Sequence, residues 1–163
     1  MKRIKQFLPF VFAGIIALFL VACGGSKAPE GGDSTAQPGF GFVQHENISG
    51  ATITATGAVE AAQTFDVTLK DGEAFVCTGV TDEGEWEILV TQDGNELSTD
   101  YVYQGESFSE TGFGPGTYTV TVSAKAATGT VNVLAYPADT FDVENQETAD
   151  IIATVQDYIN ANA

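Results

Sequence analysis

In Thr117-Tyr118-Thr119-Val120-Thr121-Val122, Tyr and Val alternate with Thr without interruption. A helix would scatter these side chains around its circumference. A strand, whose side chains point alternately to opposite faces, sorts them into one dry face and one wet face. Phe65, Val67 and Leu69 alternate in the same way with Thr64, Asp66, Thr68 and Lys70. So do Trp86, Ile88 and Val90 with Glu85, Glu87 and Leu89. Such runs predict half-buried antiparallel strands. Further strand-prone stretches at 51–57, 73–79, 95–103, 106–111 and 130–136 bring the expected number to about eight. Asp71-Gly72, Glu83-Gly84, Asp93-Gly94, Gly114-Pro115-Gly116 and Thr128-Gly129 fall between them, where turns are expected. Short strands at this spacing predict an all-β antiparallel sandwich over residues 48–137.

Residues 138–163 change period. Ile151, Ile152, Val155, Tyr158 and Ile159 recur at helical spacing as one apolar stripe. Glu144, Glu147 and Asp150 lie where they complement a helix N-terminus. The segment is expected to be an amphipathic C-terminal helix that folds back on the sandwich or offers its stripe to a partner.

The stretch from Thr64 to Tyr136 resembles the small β-sandwich domains of bacterial secreted proteins, such as those of the pre-peptidase C-terminal type. Three runs carry the resemblance: Phe65-Asp66-Val67-Thr68-Leu69 before Asp71-Gly72, Trp86-Glu87-Ile88-Leu89-Val90 before Asp93-Gly94, and Gly116 to Val122. It implies an accessory or adhesive module and transfers no catalytic residue. The terminal helix departs from the pattern.

The N-terminus has the order of an export signal: Lys2, Arg3 and Lys5, then an apolar run from Phe7 to Ala22. As a helix that run would reach about 24 Å, short of the ~30 Å hydrocarbon core. Pro9 and Gly14 interrupt it. Leu20-Val21-Ala22-Cys23 resembles the bacterial lipobox. The resemblance implies a signal peptide over 1–22, cleavage between Ala22 and Cys23, and a diacylglycerol on the Cys23 thiol. A further acyl chain such as palmitate often follows on the new amine. Two chains suffice for stable anchoring, since each buried CH₂ adds ~0.8 kcal/mol. Residues 23–47 are expected to form the lipidated cysteine and a flexible linker, most clearly the Gly-, Pro- and Ser-rich stretch 24–39. The expected location is extracytoplasmic, on the cell membrane or an outer membrane.

Removing the signal leaves Lys27, Lys70 and Lys125 against all 22 carboxylates, a net charge of −19. A chain this acidic cannot neutralise phosphates, which argues against nucleic acid as a partner, and anionic headgroups repel it. Solubility accounts for the charge. Once Cys23 is lipidated, Cys77 has no disulfide partner in the chain. It sits in Ala74-Phe75-Val76-Cys77 and is expected to be a buried, inert thiol.

Chemistry-bearing patterns are sparse. His45 is the single histidine, in the lead-in to the domain; Ser49 beside it reads as a turn hydroxyl, and no Gly-x-Ser-x-Gly elbow exists. One His and one Cys do not make an ordinary zinc site. No catalytic residue is nominated. Two weak sites stand out. Asp82 and Glu83 on one turn, with Glu85 and Glu87 beyond, and Asp93 and Asn95 on the next, supply the hard oxygens calcium takes, although solvated charge explains them as well. Tyr101 and Tyr103 share a strand face with Leu97, either as core or as a platform on which a sugar can stack.

The sequence thus predicts a lipid-anchored, non-enzymatic binding or adhesive module that takes a surface protein or glycan. A structural or accessory envelope lipoprotein is the alternative, and a small hydrolase a remote one. No cofactor is expected apart from the calcium option.

Overall fold

A computed structural model describes residues 38–141 and 145–163. The predicted signal peptide, Cys23 and most of the predicted linker lie outside the described residues. The fold is antiparallel β with one C-terminal helix, as the two periodicities predict. The elements are β1 (Phe40–Gln44), β2 (Gly50–Leu69), β3 (Glu73–Gln92), β4 (Asn95–Val102), β5 (Gly105–Thr111), β6 (Gly116–Pro137) and α1 (Thr148–Asn162). The sheet runs β1-β2-β6-β3-β4, and β5 joins β3 beside β4.

Six strands stand where the sequence suggested about eight, because the candidates fuse in pairs. Stretches 51–57 and 64–70 are the two halves of β2; 73–79 and 85–90 belong to β3, and 117–122 and 130–136 to β6. A straight strand of 20 residues would extend about 66 Å. These strands instead bend near their middles, where the ladders slip register at Ala55/Val59, Thr81/Glu83 and Glu83/Glu85. Glu83-Gly84 and Thr128-Gly129 therefore mark bends within strands rather than turns between them. Gly84 has φ +72°, and a Cβ there would collide with the Ala126 carbonyl. Gly129 is equally confined by the Val80 carbonyl. Glycine allows the β3 and β6 backbones to cross the bend in contact. Asp93-Gly94, with φ +52° and +79°, is a true two-residue hairpin turn.

Bending folds the sheet onto itself. The first layer holds β1, β5 and the halves Gly50 to Ala55, Gly129 to Pro137 and Glu73 to Thr81. The second holds β4 with the remaining halves of β2, β6 and β3. Ile53, Phe75 and Val133 from the first layer share one buried cluster with Val67, Trp86, Ile88 and Val120 from the second. Phe42 and Phe65 meet across the layers, ring centroids 5.5 Å apart. Ser49 Oγ accepts from the Thr68 amide at 2.6 Å, joining the open ends.

The two outer faces differ. From Val131 to Tyr136 every residue is buried, since α1 covers the outer face of the first layer. Ile151, Val155 and Ile159, one helical stripe, are buried, and the last two cluster with Val76, Leu134, Tyr136 and Ile48. The helix stripe is thus spent on the sheet. On the second layer Thr117 to Val122 keeps its strict alternation because that outer face is bare. Phe40 and Phe42 pack on the core, and Phe40–Gln44 is a strand inside the 23–47 span predicted as linker. No described helix is long and apolar enough to cross a membrane.

Candidate functional site

The bare face of the second layer carries the aromatic pair. Tyr101 pairs with Glu87 across the β3–β4 ladder, which places it on the outer side. Tyr101 is 44% and Tyr103 58% exposed, so the core alternative for this face does not hold. Their rings lie 17° from parallel with centroids 6.1 Å apart and form one continuous patch. Leu97, also exposed, falls at a bulge between Glu96 and Ser98.

Lys125 completes the cluster. It stands opposite Glu85 on β3 and opposite Glu60 on β2. Its ammonium donates to Glu87 at 2.6 Å, lies 3.4 Å from Glu85, and sits 5.4 Å from the Tyr101 ring centroid. The Glu87 hydrogen bond raises the lysine pKa above its ordinary value and outweighs partial burial. The Glu87 charge also lifts the Tyr101 phenol, so it keeps its proton. An exposed pair of this kind adds little stability, because solvent screens it. Its chemical result is an aromatic surface bordered by a fixed ammonium, two carboxylates and two phenols. Lys125 was not legible as part of this site, because only the fold brings residues 85, 87, 101 and 125 together.

The other sequence candidates lie apart. Asp82 and Glu83 occupy the bend of β3, whereas Asp93 and Asn95 flank the hairpin at its far end. The strand between them spans about 30 Å, too far to share one ion. The Asn95 amide donates back to the Asp93 carbonyl at 3.5 Å. Among the described residues no three His, Cys, Asp or Glu side chains converge in a metal-binding group. Cys77 is buried and its thiol is pushed up to about 12, first by desolvation and then by the charge of Asp100.

His45 follows β1 and opens a polar chain on the outer face of the first layer. Thr52 Oγ1 donates to Asn132 Oδ1 at 2.7 Å, so it accepts from His45 Nε2, 3.3 Å away. Asn132 Nδ2 donates onward to Thr78 Oγ1 at 3.3 Å. Asn132 and Thr78 are buried, and this chain satisfies their polar atoms beneath the sheet surface. Burial lowers the His45 pKa. Ser49 binds the Thr68 amide and stands in no hydrogen bond with His45.

No protein-family model and no curated protein matches the chain. Among solved structures, a family two carbohydrate esterase from Clostridium thermocellum superposes with a TM-score of 0.35 and 17% identity over 61% of this chain. The match covers 32% of the esterase chain. The CENP-C cupin domain of Drosophila melanogaster superposes with a TM-score of 0.33 and 12% identity, covering 68% of this chain and 86% of that one. Superpositions this loose transfer neither activity nor ligand.

Proposed function

We propose that this protein is a lipid-anchored, extracytoplasmic binding module that holds a glycan, without catalysis, on Tyr101 and Tyr103. The observation that carries the reading is the exposed, near-parallel tyrosine pair bordered by Glu85, Glu87 and Lys125. Sugar rings present C–H faces to aromatic surfaces and hydroxyls to polar neighbours, and both kinds of group are present here. The anchor rests on the Leu20-Val21-Ala22-Cys23 motif at the end of a basic-then-apolar leader. The soluble chain beginning at Gly24 is the form to test on an array of glycans. Binding is expected, and Tyr101→Ala with Tyr103→Ala should weaken it at least 10-fold while leaving the melting temperature within a few degrees. Retention of full binding by that double variant refutes the tyrosine site. Absence of any glycan ligand, with envelope proteins co-purifying instead, favours a structural role.

A further inference from the structure

α1 occupies the outer face of the first layer over Val76, Leu134 and Tyr136, whereas the outer face of the second layer carries no helix. The ladder registers build the open face in rows across β2, β6, β3 and β4. Ala62, Ser123, Glu87 and Tyr101 form one row. Thr64, Thr121, Leu89 and Thr99 form the next, and Asp66, Thr119 and Thr91 the one after. Strands about 4.8 Å apart with side chains two residues apart give a regular grid of side chains that begins at the tyrosines.

The hydroxyls in this grid are held by one another. Thr64 and Thr121 are hydrogen-bonded at 2.9 Å, Thr68 and Thr117 at 3.0 Å, and Thr119 donates to Asp66 at 2.9 Å. Within each Thr–Thr pair one hydroxyl hydrogen is used and the other remains free to donate, while lone pairs stay open on both oxygens. Charge narrows the ligand further. Glu85, Glu87 and Asp66 lie on or beside this face; of the described lysines, Lys125 is tied to Glu85 and Glu87, and Lys70 follows β2 beyond the Thr68 end of the grid. A polyanion would meet carboxylates from the tyrosines to Asp66, where the Lys125 ammonium is already paired.

We infer that the ligand is a neutral polysaccharide laid flat across this face, from Tyr101 and Tyr103 over Leu89 and Thr121 to Thr64, an inference that rests on the binding reading above. The tyrosines stack on sugar rings at one margin, and the threonine rows hydrogen-bond hydroxyls farther along the chain. A polymer therefore gains contacts that a disaccharide cannot reach.

The test uses the soluble chain from Gly24, with swollen cellulose, chitin, mannan and dextran as neutral polymers, alginate as the anionic one, and the matching di- and trisaccharides. The discriminating variant is Thr64→Val with Thr121→Val. It removes a hydrogen-bonded pair together, keeps strand-forming shapes and is close to neutral for stability. At least one neutral polymer should bind at least 10-fold more tightly than its trisaccharide, with alginate unbound. The valine pair should lower polymer binding at least 5-fold and leave the short sugar unchanged. Undiminished polymer binding by the valine pair, or preference for alginate, overturns the inference. If Tyr101→Ala with Tyr103→Ala still abolishes binding in that case, the tyrosine module stands and only its extension across the sheet fails. Binding of no polymer and no short sugar overturns both.

Discussion

Two side chains show how burial sets chemistry at the residue scale. Cys77 shares its cluster with Ile53, Phe75 and Val133, where no opposite charge offsets the loss of water around a thiolate. With its pKa pushed up to about 12, roughly one thiol in 10⁴ is ionised at pH 8, and the thiolate is the reactive form. Alkylation of the native soluble chain should be at least 100-fold slower than in denaturant, as read by the mass of the adduct over time. Comparable rates would mean an accessible thiol. His45 is the opposite case, a base that burial keeps neutral. Its folded pKa lies below the ordinary 6.5, so the unfolded chain binds more protons in the interval between the two values. Its contribution is complete above pH 6.5 and is lost as pH falls through the folded pKa. Urea midpoints at pH 8 and pH 5.5 should therefore fall further for the native sequence than for His45→Gln, whose amide can still donate to Thr52. An identical fall in both would place the pH dependence elsewhere.

At the scale of elements, the bends decide the architecture, and glycine decides the bends. Gly57 and Gly84 both have positive φ, but a Cβ at Gly57 meets nothing within 4 Å, whereas at Gly84 it strikes the Ala126 carbonyl. Gly57→Ala should cost only the left-handed backbone penalty, about 1–2 kcal/mol. Gly84→Ala adds displacement of the neighbouring strand and should cost about 3 kcal/mol or more. Equal urea midpoints for the two variants would show that the strands do not need this approach. The contrast also explains what the sequence conveyed. Period-two alternation identified the dry faces of β2, β3 and β6 correctly: Phe65, Val67, Trp86, Ile88, Val120 and Val122 are all core. A glycine beside Glu83 or Thr128 carries the same local signal whether the chain reverses or only bends, and the partner strand's register settles which occurs. β1 escaped notice because Gly39 and Gly41 dilute Phe40 and Phe42, whose burial depends on the facing layer. Tyr101 and Tyr103 were legible as a pair sharing a face. Their exposure was not, since it depends on α1 covering the other layer.

At the scale of the whole molecule, charge and anchor are linked. Residues 23–163 carry three lysines against 22 carboxylates, and of the lysines beyond residue 37 one is tied to Glu85 and Glu87. Such a body is repelled by an anionic leaflet, whose surface potential attracts basic segments and disfavours acidic ones. Attachment to a membrane would therefore rest on the covalent lipid proposed at Cys23, without an electrostatic contribution from these carboxylates. A single acyl chain gives marginal binding, whereas two hold the protein stably. Cys23→Ser should abolish incorporation of labelled fatty acid. Any Cys23→Ser protein that is cleaved elsewhere and loses its leader should appear wholly in the soluble fraction, at low salt as well as high. Uncleaved precursor would stay with the membrane through its apolar leader and is recognised by its larger mass. Continued labelling of Cys23→Ser would place the lipid on another residue. Leader-free Cys23→Ser protein that remained on membranes at low salt and left at high salt would reveal an electrostatic contact that this charge distribution disfavours.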